Sequence, residues 1–252
     1  MKLNTVICGK AEDVLKTFSD ECIDLTVTSP PYDNLRDYKG YTFDFKKIAN
    51  ELYRVTKQGG VVVWVVGDAT IDGSETGTSF KQALYFKEIG FNLHDTMIYG
   101  KNPRFPEQIR YNQSFEYMFI LSKGKPNIFN AIKRRVESSN LNRVVSDRGV
   151  NGKLTKKKIV FNKESNKYNF WFYNAGNVEE AKEHPAIFPE QLAADHIYSW
   201  SNKGDIVLDP MCGSGTTMKM AKELNRNYIG IDSSKEYIKI AERRLAQGIL
   251  SI

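Results

Sequence analysis

The sequence predicts an open α/β fold, a mostly parallel sheet with helices on both faces. Three observations point there. Strand-like apolar runs alternate with helix-period segments along most of the 252 residues. The run Val61-Val62-Val63-Trp64-Val65-Val66 has no polar alternation, which marks a strand buried on both faces. Ile206 to Asp232 reads as strand, glycine loop, helix, strand and terminal acid.

Taken in order, Val6-Ile7 is a short strand, followed by Gly9 and an amphipathic helix over 11–18. Ile23-Asp24-Leu25-Thr26-Val27 is a second strand, and it runs into Thr28-Ser29-Pro30-Pro31-Tyr32. Neither proline has an N–H, and their rings hold the preceding residues extended. The result is a rigid spur carrying a hydroxyl (Ser29), a carbonyl (Pro30) and an aromatic face (Tyr32). Such a set could hold a flat, amine-bearing ring; alone it reads equally as an ordinary proline turn. A polar loop leads to a helix with Phe45, Ile48, Ala49, Leu52, Tyr53 and Val55 on one face, closed by Gly59-Gly60. After the valine strand come a polar loop over 67–77, a helix over 79–89 with Gly90 as its C′ residue, and strands over 93–99 and 114–121.

The pattern breaks at Ser122-Lys123-Gly124. Residues 123–170 have poor periodicity and hold 13 Lys and Arg against 3 Asp and Glu. The chain as a whole has 36 basic and 30 acidic side chains, so the remainder is net negative and the basic charge sits in one insertion. Eight asparagines there add amides able to pair with base edges or phosphates. A nucleic-acid contact is the favoured reading over a solvated loop. The expected division is 1–122, a basic insertion 123–170, and 171–252 completing the first part.

Order returns after Trp171. His184-Pro185-Ala186-Ile187-Phe188-Pro189 leads into a helix over 190–200. The strand 206–208 then feeds Asp209-Pro210-Met211-Cys212-Gly213-Ser214-Gly215-Thr216-Thr217 and a helix over 216–224. The strand 228–231 ends in Asp232, 19 residues beyond Gly213, and a helix over 234–246 closes the chain. Glycines permit close backbone approach, and an acid ending the second strand can accept from both hydroxyls of a ribose. A phosphate loop would need Gly-Lys-Ser/Thr and has no lysine here; a dinucleotide site would need a third glycine where Met218 stands. An adenosyl ligand without phosphates fits best, and a purely structural turn is the alternative.

Composition narrows the classes. The six-residue apolar run falls far short of the ~20 that span a bilayer. The N-terminal residues show no signal-peptide pattern, which gives the expectation of a cytoplasmic protein. Cys8, Cys22 and Cys212 lack ligand spacing and only three histidines are present, so no metal is expected.

Ser29-Pro30-Pro31-Tyr32 and Asp209 to Thr217 resemble the two signature motifs of DNA amino-methyltransferases, and their order around a basic insertion is similar to that of the β class. Ser114 to Gly124 resembles the strand before that family's target-recognition insertion, and His184 to Leu192 its pre-cofactor motif. The resemblance implies a Rossmann-like methyltransferase fold with a seven-stranded sheet, and S-adenosylmethionine as methyl donor. It assigns Ser29, Pro30, Pro31 and Tyr32 to catalysis. It assigns Ala11, Thr28, Phe188, Pro189, Asp209, Pro210, Met211, Cys212, Gly213, Ser214, Gly215, Thr216, Asp232 and Ser233 to the cofactor. Lys10 stands where the family commonly has Asp. DNA is the implied partner, with a flipped base, and Arg36, Lys133, Arg134, Arg135, Arg143, Lys156, Lys157 and Lys158 are its candidate contacts. Serine in the first position of the tetrapeptide favours N4 of cytosine, with N6 of adenine as the alternative. An RNA methyltransferase and an inactive DNA-binding protein are the further rivals. A homodimer and a companion restriction endonuclease are left open.

Overall fold

The structure, a computed structural model, describes residues 1–31, 43–102, 108–136, 142–148, 152–160, 163–173 and 189–246. The elements in chain order are β1 (Thr5–Cys8), α1 (Ala11–Leu15), β2 (Ile23–Thr28), α2 (Phe45–Val55), β3 (Thr56–Val66), β4 (Thr70–Ile71), β5 (Ser74–Glu75), α3 (Thr78–Glu88), β6 (Asn92–Gly100) and β7 (Phe115–Ser122). They continue as β8 (Lys133–Arg135), β9 (Asn142–Arg148), β10 (Leu154–Val160), β11 (Glu164–Asn166), β12 (Phe170–Phe172), α4 (Glu190–Trp200), β13 (Ile206–Asp209), α5 (Thr216–Glu223), β14 (Asn227–Asp232) and α6 (Lys235–Ala246).

Two compact units result. Residues 1–130 and 169–252 form the larger, and 131–168 the smaller. In the larger unit the strands run β1-β14-β13-β2-β3-β7-β6-β12. All neighbours pair in parallel except β7, which is antiparallel to both β3 and β6. The expected seven strands are present, and an eighth is added at the edge by β12, where Trp171 pairs with Tyr99. Three residues in alternation with aromatic neighbours are too short a signal to read as a strand.

The valine run is buried on both faces, as its composition demands. Alternation sends Val62, Trp64 and Val66 into a core with Leu15, Ile48, Leu52 and Phe86 from α1, α2 and α3. The opposite face of the sheet is covered by α4, α5 and α6. Trp64 crosses from β3 to α3, where its Nε1 donates to Gln82 Oε1 at 2.8 Å. This satisfies an indole N–H that would otherwise be stranded in the core.

Two expectations need correction. Gly59-Gly60 does not end the unit before β3; the strand runs through both. Gly59 has φ +77, donates to Lys123 O at 2.7 Å and accepts from Asn127 N at 3.0 Å, so its positive φ serves a close crossing of two chain segments. The basic stretch is also more regular than its periodicity suggested. In the smaller unit β9 pairs antiparallel with β10, and β8 with β11. β8 and β11 hold no buried residue, so no buried face imposes apolar alternation on them and the pattern that reveals strands elsewhere is missing.

Lys123 through Asn130, expected in the insertion, pack with the larger unit. Lys123 is buried beneath β3: its Nζ donates to Tyr53 O at 3.0 Å and Thr56 O at 3.1 Å, lies 4.7 Å from the Tyr53 ring centre, and pairs with Glu21 at 3.1 Å. Its charge is committed inward. No described helix is long and apolar enough to cross a membrane.

Candidate active site

The sheet topology locates the site before any side chain is considered. From β2 the chain moves through α2 to β3, on one side; from β13 it moves through α5 to β14, on the other. β13 and β2 are neighbours, so the strand order reverses between them. In open α/β sheets the crevice outside the carboxyl ends at such a reversal is where ligands bind. The residues at those ends are Thr28 and Asp209.

They touch. Thr28 Oγ1 donates to Asp209 Oδ1 at 2.7 Å, across 181 residues of sequence. The proline spur therefore starts one residue from the first residue of the glycine loop. Asp209 also accepts from Met211 N at 3.1 Å, and Thr217 Oγ1 donates to Val27 O at 3.2 Å, so the loop is tied to β2 at both its ends. Ser29 is half-buried and Pro30 buried at the end of β2.

The loop is shaped for close backbone approach. Gly215 has φ +86 and caps α5; a Cβ there would lie 2.9 Å from the Ala241 Cβ of α6. Cys212 N donates to Ile231 O at 2.8 Å, placing the loop over the end of β14. There Asp232 Oδ2 accepts from Gly213 N at 2.9 Å and Oδ1 from Ser234 N at 2.8 Å. Each oxygen keeps further lone-pair capacity, and the residue is only partly buried. The adjacent Gly9 N donates to Asp232 O at 2.9 Å, which brings the Gly9-Lys10 turn beside the same strand end. Ala11 opens α1 and is almost wholly within the core. Pro189 is buried at the N-cap of α4, Pro210 is buried, and Ser233 is exposed just past Asp232.

Burial governs the electrostatics. The Asp209 carboxyl is pushed up to about 6, because burial outweighs the hydrogen bonds from Thr28, Met211 and Thr217. Burial also raises Asp232, against the backbone amides of Ser234 and Gly213. The Cys212 thiol is raised by burial, and it points towards packing and away from reactivity. All three cysteines are free thiols, and no group of residues able to hold a metal occurs among the described residues.

Of the residues expected at the site, Thr28, Ser29, Pro30, Pro31, the loop 209–216 and Asp232 lie at the carboxyl ends of the neighbouring strands β2, β13 and β14. Tyr32, Arg36 and Phe188 lie outside the described residues. In the smaller unit Lys133, Arg135 and Lys156 are exposed, and Arg134 stacks its guanidinium 3.9 Å from the centre of the Tyr168 ring. Arg143, Lys157 and Lys158 lie in the β9–β10 ladder. Sequence reasoning missed Arg244, which reaches the loop from α6: in a helix's last turn an arginine ordinarily reads as a solvated charge.

Comparison with known proteins gives the family and the fold. A family model described as DNA methylase, of the N6/N4 type, matches residues 23–243. The orphan methyltransferase M.BamHII of Bacillus amyloliquefaciens is 54% identical over 247 residues, covering 93% of each chain. The type II methyltransferase M.HpaI of Haemophilus parainfluenzae is 32% identical over 251 residues, covering 95% of this chain and 73% of its own. Among solved structures, the cytosine-N4-specific PvuII DNA methyltransferase superposes with a TM-score of 0.71 at 19% identity, over 98% of this chain and 87% of its own. A putative DNA modification methylase of Thermus thermophilus, solved with S-adenosyl-L-methionine, gives 0.68 at 21% identity, over 98% and 95%. With the doubly wound sheet in place, the family match over residues 23–243 and the 54% identity to M.BamHII make this chain a member of the N6/N4 amino DNA methyltransferase family.

Proposed function

We propose that the protein methylates N4 of cytosine in DNA, using S-adenosylmethionine. The observation that carries this reading is the 2.7 Å Thr28–Asp209 bond, which sets the Ser29-Pro30-Pro31 spur against the glycine loop. Ser29 in the first position of the spur favours cytosine over adenine.

The crevice suits an adenosyl ligand. Asp232 offers two partly filled carboxylate oxygens for ribose hydroxyls, and the Gly213–Gly215 turn brings backbone close without a Cβ. When bound, S-adenosylmethionine supplies an electrophilic methyl group. Asp209 to Thr216 would wall its methionine part, with Pro189 approaching from the start of α4. The target amine is a poor nucleophile while its lone pair is delocalised into the ring. Donating to Ser29 Oγ and Pro30 O draws that nitrogen towards tetrahedral geometry and frees the lone pair. The amine nitrogen would then take the methyl, leaving the donor as a neutral thioether, and the surplus proton would pass to solvent; most of the acceleration comes from orientation, and no side chain has to be a strong base. The base must leave the duplex to reach this edge, and Tyr32 offers it a stacking face. The basic 131–168 unit supplies phosphate contacts that offset the flipping cost of a few kcal/mol.

The test is digestion to nucleosides after incubating the purified protein with S-adenosylmethionine and unmodified genomic DNA. Mass spectrometry is expected to find N4-methylcytosine. N6-methyladenine instead would overturn the base assignment, and modification confined to an RNA substrate would overturn DNA as the target. Ser29→Ala and Tyr32→Ala are each expected to cut methylation at least ~100-fold while leaving cofactor affinity nearly unchanged. Loss of cofactor binding in both would refute the division of labour between spur and loop.

A further inference from the structure

We infer that Arg244 is a positioning residue: its guanidinium locks the glycine loop to the start of α4 and so holds both walls of the cofactor site in register. The inference rests on the cofactor reading above and extends it to a residue outside the motifs.

Arg244 sits in the last turn of α6, yet its side chain is 2% exposed. Nη1 donates to Ser214 O at 2.8 Å, to Ser214 Oγ at 3.0 Å and lies 3.2 Å from Thr216 Oγ1. Nη2 donates to Glu190 Oε1 at 2.8 Å. Glu190 is the first residue of α4, directly after Pro189, and the same oxygen accepts from Lys219 of α5 at 2.8 Å. One planar group thus joins the loop between β13 and α5 to the segment that brings Pro189 in. Ala241, one turn earlier on the same helix, abuts Gly215. The loop is supported from behind at two successive points of α6.

Packing alone does not call for an arginine. A methionine of similar length would fill the space without desolvating a charge, and Glu190, partly exposed and still paired with Lys219 at 2.8 Å, would not be left as a lone buried charge. What the guanidinium adds is direction: a rigid fork whose Nη1 and Nη2 point to fixed acceptors on two elements, while Nε is buried without a partner among the described residues. Holding a loop in its bound shape beforehand removes an ordering cost from binding. The consequence falls on cofactor affinity and not on DNA affinity, which draws on a different set of side chains.

The experiment is calorimetric titration of S-adenosylmethionine into the purified full chain, beside fluorescence anisotropy with a duplex DNA. Arg244→Met is expected to weaken S-adenosylmethionine about tenfold or more while DNA affinity stays within about twofold. Arg244→Lys keeps the charge but reaches only one of the two elements, and should fall between. Wild-type S-adenosylmethionine affinity in a folded Arg244→Met protein would overturn the inference. So would parallel losses for both ligands, the mark of a merely structural role. Should Arg244→Met fail to fold, Glu190→Ala removes the acceptor that Arg244 Nη2 reaches on α4: a several-fold loss of S-adenosylmethionine affinity with unchanged DNA affinity supports the inference, and no loss refutes it. Absence of S-adenosylmethionine binding by the wild-type protein would instead refute the cofactor reading itself.

Discussion

Asp209 shows how a single residue joins two distant motifs. Its carboxyl is buried, accepts from Thr28 and Met211, and is pushed up to about 6 by the loss of solvent. The linkage has a definite sign. In the unfolded chain the group titrates near 3.8, so the folded state binds the proton more tightly. Stability from this group is fully present below the unfolded value and is lost as pH rises through about 6. Asp232, also raised, adds to the trend from the neighbouring strand end. Asp209→Asn keeps an oxygen for Thr28 and Met211 but cannot ionise. We expect its melting temperature, relative to wild type, to climb between pH 4 and pH 6 and to level off above, an effect on the order of 2–3 kcal/mol at most. A flat difference across that range would mean the carboxyl ionises as freely folded as unfolded.

At the scale of elements, the β9–β10 ribbon is where the basic charge becomes a structure. Lys156, Lys157 and Lys158 are consecutive in β10, paired with Ser146, Val145 and Val144 of β9. A strand carrying three adjacent lysines is poorly suited to a core and well suited to a polyanion. Each phosphate neutralised releases condensed counterions, so the logarithm of DNA affinity falls against the logarithm of salt with a slope of about −0.9 per contact. Replacing all three with glutamine is expected to weaken DNA binding and to reduce that slope by about 1 to 3. An unchanged slope would show the lysines to be a solvated face. Lys123, counted with this charge in the sequence, is excluded from it by structure, because its ammonium is spent on Tyr53 O, Thr56 O and Glu21.

For the whole molecule, the chain divides into 1–130 with 169–252 and 131–168, and on the function proposed above the first unit binds the cofactor and the second contributes most of the DNA contact. The larger unit carries the crevice and its own core. We expect a chain in which 131–168 is replaced by a Gly/Ser linker to fold and to bind S-adenosylmethionine nearly as the full protein does. Its affinity for duplex DNA should fall at least ~10-fold at physiological salt. Retained DNA affinity in the linker chain would move the main interface onto the larger unit. Much of this was legible in the sequence. The buried valine strand, the alternation of strand and helix, and the motifs at Ser29 and Asp209 are local patterns, and burial on both faces or a required turn writes itself directly into residue type. By sequence alone the protein was therefore determined to be an α/β fold with a basic insertion and two chemistry-bearing loops. Only the tertiary structure decided that those loops meet, that β12 extends the sheet, that Lys123 turns inward, and that Arg244 clamps the glycine loop to α4. Each of these depends on contacts between residues far apart in the chain, and a contact across 181 residues leaves no period or composition in the sequence around it.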